Sequence, residues 1–224
     1  MKVIAKIRND FKGKFGIPRQ SGLAKGLVSR IVFEPEYRVP EALRGIDGYS
    51  HLWLIWEFSE AKREGWSATV RPPRLGGNRR MGVFATRSPF RPNPIGLSSV
   101  RLVEVVHTDS EGDVLLVEGA DLLDGTPIYD IKPYLAFTDS HPEAVGGFAD
   151  PVRDYAITVD FPEELLSMIE EEKRDGLIAL LENDPRPSYQ DDPEREYGMT
   201  FGDFEIGFTV KEGLLVVKRV DKRK

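Results

Sequence analysis

The chain has 224 residues, 40% of them hydrophobic and 30% charged, which suits one globular domain or a large domain with a small companion. It holds no cysteine, so disulfides, thiolate zinc sites, iron–sulfur clusters and cysteine nucleophiles are excluded. The net charge of −6 hides an asymmetry. Residues 1–103 carry 19 Lys/Arg against 8 Asp/Glu (+11) and residues 104–224 carry 12 against 29 (−17), so the first half is fitted to an anionic partner unless folding neutralises it.

In chain order, MKVIAKIRND opens with Val3, Ala5 and Ile7 alternating with polar neighbours. It has no long apolar run before a small-residue cleavage site, and no stretch reaches the roughly 18 apolar residues of a membrane span. Neither a secretory signal nor a membrane association is expected, and a cytoplasmic location follows by default. Gly26–Phe33, Leu52–Phe58, Met81–Ala85, Ser98–Val106, Val114–Val117 and Pro127–Pro133 are short, β-branched or aromatic, and bounded by Gly and Pro. They predict strands, and strands at this spacing predict a mainly β fold whose N-terminal domain, residues 1–150, is a β-barrel. After residue 150 the pattern changes. Phe161-Pro162-Glu163-Glu164 reads as a helix start, Leu165, Leu166 and Ile169 then Leu177, Leu180 and Leu181 as apolar stripes, and Gly176 as the end or kink of the first helix. Phe204–Val210 and Leu214–Val220 predict a hairpin about Lys211-Glu212-Gly213. Residues 155–224 are therefore expected to form a small α+β domain.

The most unusual stretch is Trp66–Val103. It holds Arg71, Arg74, Arg79, Arg80, Arg87, Arg91 and Arg101, and no Asp, Glu or Lys. Guanidinium is a rigid fork for phosphate or carboxylate and stacks on a base, which an ammonium does not. Pro72, Pro73, Pro89, Pro92 and Pro94 stiffen the backbone that presents these groups. The run Ala85–Gly96 carries three prolines at near-alternate positions and must be a loop, with Thr86, Arg87, Ser88, Arg91 and Asn93 as donors. The ordinary reading is a solvated loop whose arginines pair with the acidic C-terminal half. Asp124-Gly125-Thr126-Pro127 reads as a turn, or as a polar contact for a small molecule; Phe15–Gly22 reads as an ordinary loop. No G-x-G or Walker loop is present, and His51, His107 and His141 lack metal spacing, so no metal is expected.

Five runs, Phe15–Gln20 (FGIPRQ), Arg44–Trp53 (RGIDGYSHLW), Thr69–Asn78 (TVRPPRLGGN), Gly82–Gly96 (GVFATRSPFRPNPIG) and Asp121–Tyr134, strongly resemble the TrmO/YaeB (TsaA-like) family of S-adenosylmethionine-dependent tRNA methyltransferases. Asp184–Tyr189 (DPRPSY) is similar to a motif of that family's C-terminal domain. The resemblance implies a barrel methyltransferase that binds S-adenosylmethionine, forms a homodimer, and methylates N6 of N6-threonylcarbamoyladenosine at position 37 of tRNA. Its cofactor positions fall on Gln20, Ser21, Gly22, Ser59, Glu60, Arg87, Leu97, Asp124, Gly125, Thr126 and Pro127. Where this chain has Ser59-Glu60 some members have His-Gln, and Ser21 stands where proline is common. Arg71, Arg74, Arg79, Arg80, Arg91 and Asn93 are then expected to meet tRNA, with Arg91 or Arg74 on the threonyl carboxylate. No residue is identified as the catalytic base. A non-catalytic RNA-binding module, or a small-molecule enzyme whose arginines clamp an acidic metabolite, are the alternatives to this reading.

Overall fold

The computed structural model describes residues 1–13, 15–61, 65–72, 79–152, 155–186 and 192–223. Short runs with alternating inward apolar side chains become strands β1 (Ala5–Arg8), β2 (Val28–Phe33), β3 (His51–Glu57), β4 (Thr69–Val70), β5 (Met81–Gly82), β6 (Ile95–Thr108), β7 (Gly112–Glu118) and β8 (Pro127–Pro133). Six of them pair in the order β1-β2-β7-β6-β3-β8, every pair antiparallel. β8 returns to β1 through Ala5 opposite Ile128, so the sheet closes on itself and leaves no long open edge. Ala5, Ile7, Ile31, Leu52, Leu54, Trp56, Val100, Leu115, Val117 and Ile128 fill its interior. In β3 this alternation puts Leu52, Leu54 and Trp56 inward and Trp53, Ile55 and Glu57 on the outer face.

The chain then forms α1 (Ala136–Asp139), β9 (Thr158–Asp160), α2 (Glu163–Leu166), α3 (Glu171–Glu182), β10 (Tyr197–Phe201), β11 (Phe204–Lys211) and β12 (Leu214–Lys222). β10, β11, β12 and β9 make a second sheet in that order, with β9 parallel to β12. Ile169, Leu177, Leu180 and Leu181 pack on its Met199, Phe201, Ile206 and Phe208. That core is completed from the other end of the chain: Phe11, Ala24 and Leu27, on the connection between β1 and β2, are buried in it. No helix among the described residues is long and apolar enough to cross a membrane.

Two local expectations are corrected. Met81–Ala85 is not a strand throughout. Only Met81 and Gly82 pair, with β4, and Val83–Ala85 turn as a 3₁₀ helix that buries Val83. Gly176 neither ends nor kinks a helix but lies inside α3, the break falling at Ser167–Glu170. A Cβ on Gly176 would stand 2.5 Å from Leu27 Cγ, so glycine is needed for the close approach of α3 to the β1–β2 connection. The sequence pattern also left β9 and β10 unassigned.

Candidate active site

Strand register places three connections at one end of the closed sheet. Residues 9–27 follow β1, residues 58–94 follow β3, and residues 119–126 precede β8, since Lys6 lies opposite Pro127, Val28 opposite Glu118 and Glu57 opposite Ile95. Hydrogen bonds join them. Gly22 N–H donates to Gly119 O at 2.8 Å, and the Arg87 guanidinium donates to the Gln20 side-chain oxygen. Asn9 N–H donates to Asp124 Oδ1 at 3.0 Å, and Lys12 Nζ lies 2.8 Å from Asp124 Oδ2. Phe58 N–H donates to Pro94 O at 2.9 Å and closes the base of the long 58–94 excursion.

A polar chain lines the mouth of the closed sheet. Trp56 Nε1 donates to Ser98 Oγ at 2.9 Å, and Ser98 in turn donates to Asp121. Burial pushes the Asp121 carboxyl above its usual range, against the opposing effects of the Ser98 hydrogen bond and the Arg87 charge. The indole reaches Ser98 across Gly96, where a Cβ would stand 2.2 Å from the ring. This explains why glycine stands at the second residue of β6, where the proline-rich loop ends.

The 58–94 excursion carries a cleft of about 650 Å³ between its own loop and the outer face of β3. Glu57, Trp66, Phe90 and Arg91 line it together with Pro89, Pro92 and Pro94. Tyr129, on the outer face of β8, donates its hydroxyl to Glu57 Oε2 at 2.5 Å. Burial and the Glu57 charge push the Tyr129 phenol up to about 12, so it stays a donor at any ordinary pH. Arg91 is half-buried and donates to Thr86 O at 3.1 Å. Trp66 and Phe84 stack with ring centroids 6.0 Å apart, and both are exposed. Among the described residues Arg71, Arg79, Arg80, Arg87 and Arg91 form no ion pair; Arg80 donates to Thr69 Oγ1 at 3.2 Å. The acidic C-terminal half does not neutralise them. Arg101 is different, since it pairs across strands with Glu118, a structural role.

The residues expected to hold a cofactor fall in two places. Gln20, Ser21, Gly22, Arg87 and Asp124–Pro127 lie in the joined loops. Leu97 is 58% exposed on the outer face of β6, opposite Ile55, and Ser59 and Glu60 begin the 3₁₀ turn that follows β3. Among the described residues no hydrogen bond or ion pair ties Ser59 or Glu60 to Gln20, Arg87 or Asp124. The amides of Gly125 and Thr126 are already used, donating to Ile7 O at 2.8 Å and Leu123 O at 3.1 Å, and Thr126 is buried. These two positions therefore offer no free N–H, only carbonyl or side-chain contacts. Arg74 lies outside the described residues; Arg71, Arg79, Arg80 and Asn93 are exposed.

Residue-level reading of the chain missed Glu57, Tyr129, Ser98 and Asp121. The one available signal was period-two alternation in Leu52–Glu57, which puts a lone carboxylate on the outer face at the end of an apolar strand. Asp184 and Arg186 of the DPRPSY motif brace the N-terminal loop. Arg19 Nη2 donates to Asp184 O at 2.7 Å and Arg186 O at 3.0 Å, one residue before Gln20. Asp184 is itself held by Arg186 Nε at 2.8 Å and by the Tyr155 hydroxyl at 3.0 Å. Among the described residues no cluster of three or more His, Asp or Glu is arranged to hold a metal ion.

With this geometry in place, known proteins can be set beside it. The tRNA-methyltransferase O N-terminal domain matches residues 6–140, and the C-terminal domain of the same family matches residues 154–223. A protein of Escherichia coli (strain K12) named tRNA (adenine(37)-N6)-methyltransferase is 42% identical, the match covering 98% of this chain and 97% of that one. A Pseudomonas aeruginosa relative, whose name provisionally places it among S-adenosylmethionine-dependent methyltransferases, is 41% identical over 91% of this chain and 89% of its own. The crystal structure of TrmO from Pseudomonas aeruginosa superposes with a TM-score of 0.77 at 32% identity, covering 99% of this chain and 98% of that one.

Proposed function

The chain belongs to the tRNA-methyltransferase O family, and from that premise we propose that it methylates N6 of N6-threonylcarbamoyladenosine at position 37 of tRNA, with S-adenosylmethionine as methyl donor. The observation that carries the anionic substrate is a set of arginines free of ion pairs on the 58–94 excursion: exposed Arg71, Arg79 and Arg80 for phosphates, and Arg91, which lines the cleft, for the threonyl carboxylate. Arg74 and Asn93 are assigned to tRNA binding as well. We read residues 1–150, with their closed six-strand sheet, as a β-barrel methyltransferase domain and residues 155–224 as the C-terminal domain that buttresses it.

S-adenosylmethionine supplies a methyl group activated by a positively charged sulfonium. The donor set suits this molecule. The exposed Leu97 offers an apolar platform, the Arg87 guanidinium and Gln20 amide suit a carboxylate, and the Glu60 carboxylate suits a cationic centre. Ser21, Gly22, Ser59 and Asp124–Pro127 complete the assignment through carbonyl and side-chain contacts. We carry the homodimer over with the family reading, and tRNA as substrate supports a cytoplasmic location. Calorimetric titration with S-adenosylmethionine tests the cofactor assignment. We expect one molecule bound per chain and at least tenfold weaker binding in Arg87→Ala; no heat of binding at millimolar cofactor would contradict it.

A further inference from the structure

We infer that Glu57 is the proton acceptor for the methylated nitrogen, in a cleft that takes up the modified nucleobase. The inference rests on the methyltransferase reading above and adds to it the base and the substrate pocket. The target N6 bonds to both a purine ring and a carbonyl, and each withdraws its lone pair. Such a nitrogen becomes an adequate nucleophile only as its proton departs, so an acceptor must lie within hydrogen-bond reach. Glu57 is the sole carboxylate among the described residues that line the cleft. Besides the small residues Ala61, Gly65 and Ser67, the wall includes Trp66, Phe90, three prolines and Arg91, that is, stacking surface for a base and a cation for its acidic substituent. A volume of about 650 Å³ is adequate for a substituted purine.

The position of Glu57 relative to the cofactor residues agrees. Glu57 lies opposite Ile95, and Leu97 lies opposite Ile55, so Glu57 and Leu97 are diagonal neighbours on one face of a two-strand ladder, about 7–8 Å apart. Ser59 and Glu60 follow two and three residues later. The carboxylate therefore lies beside Leu97, Ser59 and Glu60 and also lines the cleft. Tyr129 acts as a positioning residue, its hydroxyl fixing one carboxylate oxygen from β8. In the transfer, the nitrogen lone pair forms the new N–CH₃ bond and the methyl–sulfur pair leaves with the thioether. The N–H bonding pair stays on nitrogen, and the proton passes to a Glu57 oxygen and then to solvent.

Two measurements on the full-length protein test this: single-turnover methyl transfer to threonylcarbamoylated tRNA, and calorimetric binding of the free modified nucleoside. Glu57→Gln should bind the nucleoside within about threefold of wild type, which also shows it folded, yet lose roughly 10²–10⁴-fold in rate. Trp66→Ala and Arg91→Ala should each weaken nucleoside binding at least tenfold, and Tyr129→Phe should lower kcat with little change in KM. A Glu57→Gln protein that transfers methyl groups within threefold of the wild-type rate overturns the base assignment alone. Undiminished nucleoside binding in Trp66→Ala overturns the cleft as substrate pocket. A wild type that binds the nucleoside but transfers nothing overturns the methyltransferase reading, and the base assignment with it.

Discussion

Gly96 holds the inner wall of the site in place because the flat face of Trp56 occupies the space a Cβ would need. Gly96→Ala forces the indole off Ser98 and disturbs the Trp56–Ser98–Asp121 chain. We expect a loss of about 1–3 kcal/mol, typical of overpacking, read as a fall of several degrees in Tm. Arg101→Ala should shift stability by about 1 kcal/mol or less and leave tRNA affinity unchanged, because the exposed guanidinium is already engaged by a cross-strand carboxylate. At this scale the sequence was informative about kind and silent about partners. An acid-free arginine run announced guanidinium groups that, apart from Arg101, form no ion pair among the described residues. That Arg101 faces Glu118, and that Glu57 faces the cleft, depends on strand register, which pairs residues far apart in the chain.

The elements themselves were legible where the period-two pattern was long. β1, β2, β3, β6, β7, β8 and the β11–β12 hairpin stand close to where the alternation put them. β9 is too short to show a pattern, and β10 hides its Tyr197, Met199, Phe201 alternation behind Gly198 and a polar lead-in. Gly176 misled because a contact from a distant segment, not helix propensity, decides that position. The same kind of contact ties Asp184 and Arg186 to the N-terminal loop. Arg19→Ala removes two hydrogen bonds that brace the residue before Gln20, and we expect S-adenosylmethionine affinity to weaken roughly three- to tenfold, since a looser loop must be ordered on binding. Burial opposes ionisation of Asp184, but the hydrogen bond and charge of Arg186 and the Tyr155 hydroxyl outweigh it, so the carboxyl titrates below its usual range. Its stabilising effect is therefore present above about pH 4 and lost as pH falls further. Urea midpoints measured from pH 5 downward should show a shallower decline in Asp184→Asn than in wild type.

At the scale of the molecule, the charge asymmetry between the halves survives folding where it matters: the described arginines of the 58–94 excursion stay free of the acidic C-terminal half, which instead closes its own core over Phe11, Ala24 and Leu27. Binding to tRNA should weaken steeply with salt. The triple variant Arg71→Ala, Arg79→Ala, Arg80→Ala should reduce the log–log salt slope by roughly 2–3, about one for each phosphate deprived of its guanidinium. An unchanged slope would remove those arginines from the RNA face. The central claim, methyl transfer to a modified adenosine, is tested most directly by incubating the protein with methyl-labelled S-adenosylmethionine and two preparations of the same tRNA, one carrying the threonylcarbamoyl group at position 37 and one lacking it. The account predicts label at N6 of nucleotide 37 in the modified tRNA and none in the unmodified one; equal labelling of both, or of neither, would contradict it.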